Sequence, residues 1–308
     1  FGCFPGPMED VANDPDGDPP GTNMGCPNAV PFGYEEGAVP PPEETKRVLI
    51  VGGGIAGLRA GITAARRGHR VLLLEKSDRL GGVLNLVRPD AHKEGFSRLL
   101  DNLSATLRKT DAEVRLNTVL TPAILEEFRP EVILAAVGGV QRTGGVPGID
   151  DPAILEAAGA MERLDEIGQR VVVIGGGLVG AETADFVAEG GSSDVTIVEM
   201  LDQIVRDGEP APTSFLLERL AAHGVKVLTS AAVKRVEADA VAYEKSGEEV
   251  RLDDVDTIVI AIGARANVAL AGTLEDASYR VFSVGDCNDR AKNGYRGVQE
   301  GFEAGLRA

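Results

Sequence analysis

Residues 47–82 read RVLIVGGGIAGLRAGITAARRGHRVLLLEKSDRLGG, and this stretch decides the fold. Residues 48–51 and 71–74 are apolar runs with the length and branching of buried parallel strands. Between them, residues 55–67 have the composition of a helix that ends at Gly68. The order of strand, helix and strand predicts one unit of a parallel α/β sheet.

A glycine-rich turn joins the first strand to this helix, because Gly52, Gly54 and Gly57 follow a G-x-G-x-x-G spacing. The first glycine makes the tight bend, the second lets the backbone approach a pyrophosphate, and the third lets helix and strand pack closely. The helix N-terminus offers free N–H groups to the anion. Glu75, 23 residues past Gly52, can accept hydrogen bonds from ribose hydroxyls. The pattern predicts a dinucleotide site, and the alternative is a tight turn without a ligand.

The same pattern occurs again 123 positions later. The strand sequence RVVVI at Arg170–Ile174 is followed by Gly175, Gly177 and Gly180, and the next strand ends at Glu199. Two complete fingerprints predict two bound dinucleotides, one resident and one exchanged, with a hydride passing between them. Hydride transfer is a positioning task, so the sequence predicts no acid–base catalytic residue.

The composition disfavours several other functions. The 308 residues carry a formal net charge of −17 and no Trp, which is unfavourable for a nucleic-acid-binding surface. No apolar run approaches the roughly 18 residues of a membrane helix, and no signal peptide is recognisable. The three cysteines do not form a secreted disulfide framework, so we expect a cytoplasmic protein. The first residue is Phe rather than Met, which leaves open that the chain is part of something longer.

The order of elements predicts an α/β fold with two Rossmann-like dinucleotide-binding domains, one inserted in the other, after an irregular cysteine-bearing arm. The arm, residues 1–45, is rich in Pro, Gly and Asp and shows no helical or strand period. A short apolar strand at residues 281–284 needs a sheet to join, and the first unit offers one. The predicted domains are therefore 46–150 plus 268–308, and 151–267.

Two further elements are predicted inside the second domain. Residues 214–223 have the composition of a helix. Residues 233–251 alternate in polarity and predict a small antiparallel hairpin set, with Ser246-Gly247 as one turn.

These features resemble the two-dinucleotide-binding flavoprotein superfamily, which has the glutathione reductase-like fold. The resemblance covers about residues 46–308 and is carried by both fingerprints and by Gly81-Gly82, Ala136-Val137-Gly138, Ala261-Ile262-Gly263 and Gly285-Asp286. It implies FAD at the first fingerprint and NAD(P)H at the second. It also implies that Asp286 contacts the ribityl–pyrophosphate region of FAD, and that residues 298–301 lie near the flavin ring.

The fingerprints and the resemblance together give the candidate cofactor residues. The candidates for FAD are Gly52, Gly54, Ile55, Ala56, Gly57, Glu75, Lys76, Gly81, Gly82, Ala136, Gly138, Gly285, Asp286, Val298 and Gly301. The candidates for NAD are Gly175, Gly177, Leu178, Val179, Gly180, Glu182, Glu199, Ala261 and Gly263. Glu199 is followed by Met200-Leu201-Asp202, without a basic side chain. This favours NADH over NADPH, because a carboxylate repels a 2′-phosphate.

A narrower resemblance is carried by VVVIGGGLVGAETADFVAEGG, VTIVEM and VGDC. These segments resemble the 2,4-dienoyl-CoA reductase, enoate reductase and trimethylamine dehydrogenase group, which are iron–sulfur flavoenzymes related to Old Yellow Enzyme. The resemblance implies an FMN-bearing barrel and a four-cysteine 4Fe-4S loop upstream. Cys3 and Cys26 match the third and fourth cysteines, although their separation of 23 positions is wider than the family's. Another polypeptide or an upstream part must supply two more ligands; otherwise no cluster forms and both thiols are free.

Three functions follow from these observations. The favoured one is an NADH-dependent flavin oxidoreductase module that passes electrons through a 4Fe-4S cluster to an FMN-bearing partner domain or subunit. That partner, by resemblance alone, reduces an activated C=C bond, and we expect an oligomer. The second is a stand-alone FAD-dependent reductase that uses NADH to reduce a ferredoxin, a quinone or oxygen. The third is a structural module that holds ADP and catalyses no reaction.

Overall fold

The computed structural model describes residues 39–87, 90–142, 144–206, 208, 210–288 and 294–308. Most of the predicted arm lies outside this part of the chain. The predicted iron–sulfur ligands Cys3 and Cys26 also lie outside the described residues. Within the described part, no helix is long and apolar enough to cross a bilayer.

The described residues alternate strands with helices in the order that the sequence predicts. The strands are β1 (Arg47–Val51), β2 (Arg70–Leu74), β3 (Glu113–Arg115), β4 (Val132–Ala135), β5 (Gly139–Gln141), β6 (Leu155–Glu156), β7 (Arg170–Ile174), β8 (Asp194–Val198), β9 (Lys226–Leu228), β10 (Ala232–Glu237), β11 (Ala240–Lys245), β12 (Glu248–Leu252), β13 (Thr257–Ile260), β14 (Ala264–Ala266) and β15 (Val281–Ser283). The α-helices are α1 (Ile55–Arg66), α2 (Glu94–Leu107), α3 (Pro122–Phe128), α4 (Ala157–Glu162), α5 (Leu178–Glu189), α6 (Pro210–Ala222), α7 (Ala269–Asp276) and α8 (Gly294–Arg307). The result is the predicted α/β fold class.

The first of two compact units contains the described residues up to Val140 together with Arg265–Ala308. Its five-stranded sheet has the order β15-β4-β1-β2-β3, and all its pairs are parallel. The late strand β15 pairs with β4, so the last part of the chain joins the first sheet as the sequence predicts.

Both faces of the first sheet are buried, which explains the continuous apolar strands. Along β1, Val48 and Ile50 pack on one side with α1 and α2, and Leu49 and Val51 pack on the other side. Helix α8 lies directly against α1. A Cβ atom on Gly301 would lie 2.3 Å from the Ala56 carbonyl oxygen, so this close approach of the helices requires glycine.

The second unit spans Gln141–Ala264 and contains its own five-stranded parallel sheet, in the order β6-β13-β7-β8-β9. A separate three-stranded antiparallel sheet is formed by β10, β11 and β12. Ser246 and Gly247 connect β11 to β12 with positive φ angles of 55° and 83°. The predicted hairpin set and its turn are therefore confirmed. This small sheet covers one face of the larger one through Val236, Val241 and Tyr243.

One ion pair joins two helices of the second unit. Asp185 on α5 is buried, and its Oδ2 atom accepts a hydrogen bond of 2.7 Å from Nε of Arg219 on α6. Substituting Arg219→Met would leave this carboxylate without its cation, so we expect a loss of about 2 kcal/mol in unfolding free energy. Urea denaturation measures this loss. The matched control is Arg98→Met, which breaks an exposed pair with Glu94 and should change stability by less than about 0.5 kcal/mol. Equal losses in the two variants would contradict the prediction.

Candidate functional site

The first glycine loop runs from β1 into α1, and its three glycines have different surroundings. Gly52 has a φ of +109°, and a Cβ atom there would lie 2.3 Å from the Ala136 carbonyl oxygen. A Cβ atom on Gly57 would lie 1.9 Å from the Gly52 carbonyl oxygen. The fold itself therefore requires Gly52 and Gly57. At Gly54, the N-cap of α1, the nearest atom to a built Cβ is the Gly82 Cα at 4.0 Å. The protein's own packing does not need this glycine, and the space beside it is open to a ligand.

Glu75 lies at the end of β2 beside this loop, and it is 5% exposed. Its Oε2 atom accepts a hydrogen bond of 2.7 Å from the Gly53 N–H. Its Oε1 atom accepts bonds of 2.8 Å from the N–H and the hydroxyl of Ser77. These bonds fix the carboxylate at the loop, and a carboxylate has about four acceptor sites, so it can still accept a bond from a ribose hydroxyl.

A second glycine turn lies next to the first loop. The Gly81 N–H donates a bond of 2.8 Å to the Gly53 carbonyl oxygen, and Gly81 and Gly82 have φ angles of +124° and +54°. A Cβ atom on Gly82 would lie 3.0 Å from the Gly54 Cα. The predicted pair Gly81-Gly82 is therefore brought to the helix N-terminus.

Other candidates of the first unit fall into two groups. Three of them have exposed or open positions: Lys76 and Asp286 are exposed, and no atom lies within 4 Å of a Cβ built on Gly138. The others are packed or partly covered: Ala56, Ala136, Gly285, Val298 and Gly301 are buried, and Ile55 is half-buried. Val298 is fully buried with Phe302, so a contact of Val298 with the flavin ring remains a prediction.

The second glycine loop, between β7 and α5, reproduces the geometry of the first. Gly175 has a φ of +104°, and its Cβ would lie 2.6 Å from the Ala261 carbonyl oxygen. A Cβ atom on Gly180 would lie 1.9 Å from the Gly175 carbonyl oxygen. No atom lies within 4 Å of a Cβ built on Gly177, the N-cap of α5. Here too the middle glycine is the one that leaves room for a ligand.

Glu199 occupies the position in the second unit that Glu75 has in the first. It is 7% exposed, and its Oε2 atom accepts a hydrogen bond of 2.6 Å from the Gly176 N–H. Its Oε1 atom accepts a bond of 2.7 Å from the Leu201 N–H. Met200, directly after it, is 70% exposed. The next three residues, Met200, Leu201 and Asp202, therefore present no basic side chain beside this carboxylate.

The remaining candidates of the second unit surround the same loop. Leu178 and Val179 begin α5 with exposed side chains, and Glu182 lies one turn further along the helix. Ala261 is buried where it contacts the loop, and Gly263 follows with a φ of +87°.

One carboxyl group near the predicted flavin residues was not predicted from the sequence. Glu300 on α8 accepts a hydrogen bond of 3.0 Å from the Gly285 N–H through its Oε2 atom. Burial raises the pKa of the Glu300 carboxyl above its usual value. Partial enclosure by protein also raises the pKa of the neighbouring Asp286 carboxyl. The sequence feature that could have indicated this role is the position of Glu300, an acidic residue between the buried helix positions Val298 and Gly301.

Cys287 follows Asp286 and is a buried free thiol. Its Sγ atom lies 2.8 Å from the Ala135 carbonyl oxygen and 3.1 Å from the Val284 carbonyl oxygen. Both oxygens are within reach of the thiol hydrogen as acceptors. Burial raises the pKa of this thiol, so it is protonated at neutral pH. Among the described residues, no group of three or more His, Cys, Asp or Glu side chains could hold a metal ion.

Two strand–loop–helix units, each with a buried carboxylate at the end of its second strand, have the arrangement of a protein that binds two dinucleotides. Residues 46–305 match the family model described as pyridine nucleotide-disulphide oxidoreductase, and the chain belongs to this family. It is therefore an FAD-dependent oxidoreductase of the NAD(P)H-using class.

Several relatives have reductase or oxidase activities. The chain is 35% identical over 273 residues to bilirubin reductase of Mediterraneibacter gnavus (strain CC55_001C), a match that covers 88% of this chain and 42% of that enzyme. It is 35% identical to NADH oxidase of Thermoanaerobacter brockii, over 80% of this chain and 39% of that enzyme. It is 34% identical to cinnamate reductase of Clostridium sporogenes (strain ATCC 7955), over 72% of this chain and 33% of that enzyme.

A solved structure of 2-naphthoyl-CoA reductase in complex with 2-naphthoyl-CoA superposes with a TM-score of 0.85 at 28% identity. The match covers 93% of this chain and 44% of that chain. The present chain thus spans less than half the length of these relatives, which are larger enzymes with additional parts.

Proposed function

We propose that this chain is the NADH-oxidising module of a multicentre flavoenzyme, with FAD in the first unit and NADH in the second. The observation that carries the proposal is the duplicated loop. In each copy the middle glycine, Gly54 or Gly177, has open space beside it, and a buried carboxylate lies within hydrogen-bonding distance of the loop.

The residues of both loops fit a dinucleotide. The first N–H groups of α1 and α5 have no partners inside their helices and can bind a pyrophosphate. Glu75 and Glu199 can orient the ribose next to them. When bound, FAD supplies the ability to accept a hydride and to release electrons one at a time. The chain's own contribution is to bind and orient the two nucleotides.

We further propose that the electrons pass through a 4Fe-4S cluster to an FMN-bearing barrel, either upstream or on a partner subunit. Cys3 and Cys26 would supply two of the four ligands. The partial coverage of the relatives supports additional domains. Cinnamate carries a C=C bond conjugated with its carboxylate, and this supports an activated C=C bond as the final acceptor. The domain boundaries, an oligomeric assembly and a cytoplasmic location belong to the same proposal.

Metal analysis and anaerobic electron paramagnetic resonance of NADH-reduced protein test this electron route. In the protein together with its upstream part or partner subunit, we expect about four irons per chain and a signal from a reduced cluster. Cys26→Ser should lose the iron while NADH still reduces the flavin. A protein with a reducible flavin and no iron would overturn the cluster route.

The second candidate is a stand-alone NADH:acceptor reductase, which the similarity to NADH oxidase favours. It predicts full activity with a ferredoxin, a quinone or oxygen in the absence of any other domain or subunit. Steady-state assays of this chain alone, compared with the larger assembly, distinguish the two candidates.

The environment of Glu199 leads to a prediction about the coenzyme. The fixed carboxylate would lie against the 2′-phosphate of NADPH, and like charges in contact cost several kcal/mol, so we expect kcat/KM to favour NADH by at least about 30-fold. Glu199→Gln should reduce this preference several-fold. Glu75→Gln, at the matching position of the first unit, should leave the preference unchanged. A preference for NADPH in the unmodified protein would contradict the prediction.

A further inference from the structure

The Glu300 carboxyl group lies where α8 meets the turn that carries Asp286. Its Oε2 atom accepts the Gly285 N–H at 3.0 Å, and the Asn288 N–H donates a bond of 2.8 Å to the Gly285 carbonyl oxygen. Gly285 and Asn288 lie on either side of Asp286 in the sequence. The carboxyl group on the helix therefore holds the start of this turn, and the backbone bond of Asn288 closes it.

The turn is positioned against the first glycine loop. Residues Gly285–Cys287 form a 3₁₀ turn, and Gly285 has a φ of +73°. A Cβ atom on Gly285 would lie 2.9 Å from the Cβ of Ala56, in the first turn of α1. The Val284 N–H donates a bond of 2.9 Å to the Ala135 carbonyl oxygen and fixes the strand that leads into the turn. A small rotation of the Gly285 peptide would redirect the Asp286 side chain.

We propose that Glu300 is a positioning residue that fixes the Gly285 peptide, so that Asp286 presents its carboxyl group to FAD. This inference rests on the proposed function, because it assumes that FAD occupies the first unit. Glu300 itself need not touch the cofactor.

The chemistry of the position supports this role. Glu300 is half-buried, between the buried positions Val298 and Gly301, where an apolar side chain would pack without loss of hydration. The Gly285 backbone is buried, and an unpaired buried N–H group is costly, so an acceptor is needed at this point. The α8 backbone cannot supply it, because the helix uses its own carbonyl groups. The Glu300 carboxyl group, at the end of a side chain, supplies the acceptor for the Gly285 N–H.

Titration of FAD into flavin-free protein, followed by fluorescence quenching, measures this role without any turnover. Glu300→Leu removes the acceptor, and we expect FAD to bind about tenfold more weakly, the order of effect that an orphaned N–H group produces. Glu300→Gln retains an acceptor oxygen and should bind FAD within about threefold of the unmodified protein. The control is Glu303→Gln on the same helix, which removes a 3.6 Å contact with Arg307 and should bind FAD normally.

A double-mutant cycle with Asp286→Asn separates positioning from general weakening. If Glu300 acts through Asp286, adding Glu300→Leu to Asp286→Asn causes little further loss of FAD affinity. Additive losses, or equal FAD affinity in Glu300→Leu and the unmodified protein, would overturn the inference and leave the proposed function standing. An unmodified protein that binds no FAD would overturn both. Thermal unfolding of the flavin-free variants reports any misfolding. If Glu300→Leu fails to fold, Glu300→Gln decides the test. Binding of FAD by Glu300→Gln as weak as that by Asp286→Asn would then overturn the inference.

Discussion

The Gly177→Val variant is expected to fold normally, to keep its flavin and to lose reduction by NADH. Gly177 has a φ of −65°, which any residue can adopt, and no atom lies within 4 Å of a Cβ built on it. The new side chain would instead occupy the space where the pyrophosphate approaches the first N–H groups of α5. We expect the KM for NADH to rise at least about 100-fold, because close backbone contacts to the pyrophosphate are lost. Anaerobic stopped-flow measurement of flavin reduction tests this.

Gly272→Val is the matched control for this substitution. Gly272 lies on α7, where a built Cβ also has no atom within 4 Å, and it lies far in sequence from both fingerprints. The flavin of the Gly272→Val variant should be reduced by NADH at the rate of the unmodified protein. If NADH reduces the flavin of Gly177→Val at the normal rate, the second loop does not bind NADH. If Gly177→Val loses its flavin, the effect of the substitution is not confined to the second loop.

The corresponding change in the first unit, Gly54→Val, should yield a folded protein that purifies without flavin. Gly54 has a φ of −68°, and its nearest neighbour lies 4.0 Å from a built Cβ, so the protein itself has room for the change. The side chain would lie where the FAD pyrophosphate needs direct access to the loop. We expect FAD affinity to fall at least about 100-fold. The ratio of flavin absorbance to protein absorbance measures the flavin content of the purified variant, and circular dichroism checks its fold.

Gly57→Val serves as the contrasting control, because its Cβ would lie 1.9 Å from the Gly52 carbonyl oxygen. This variant should lose stability as well as flavin. The two glycines therefore separate a requirement of the ligand from a requirement of the fold. A Gly54→Val protein that retains stoichiometric FAD would show that the first loop does not bind the pyrophosphate.

The parts of the fold that local sequence determines could be predicted. The spacing of Gly52, Gly54 and Gly57 predicts the loop, since the contact of Gly57 with the Gly52 carbonyl oxygen lies within one strand–helix unit. The Ser246-Gly247 turn was predictable because positive φ angles in a two-residue hairpin loop favour small or polar residues. The entry of β15 into the first sheet followed from the need of a short apolar strand for a sheet, although its neighbour β4 was not predicted.

The first residues of two helices were predicted less well than the helices themselves. Helix α6 begins at Pro210, four residues before the predicted start at Ser214. Proline is well suited to the first turn of a helix, where its missing N–H group costs nothing. Residues 297–306 have the composition of a helix start, and helix α8 already begins at Gly294, although glycine has a low helical propensity.

Contacts that depend on how the helices pack could not be predicted. The bond between Glu300 and the Gly285 N–H depends on how α8 packs against α1, which no local pattern encodes. The burial of Val298 and the contact of Gly301 with Ala56 arise from the same packing. The middle glycines could be predicted as ligand contacts, but only the structure separates them from the glycines that the fold requires.

Anaerobic titration of the isolated protein with NADH, followed through its visible spectrum, tests the proposal that this chain oxidises NADH through a bound flavin. We expect a flavin absorbance band that bleaches fully with one equivalent of NADH per bound FAD, and that recovers when an electron acceptor is added. A flavin that remains oxidised in excess NADH would contradict the claim. A colourless protein that releases only ADP on denaturation would contradict it as well, and would leave the chain as a structural nucleotide-binding module.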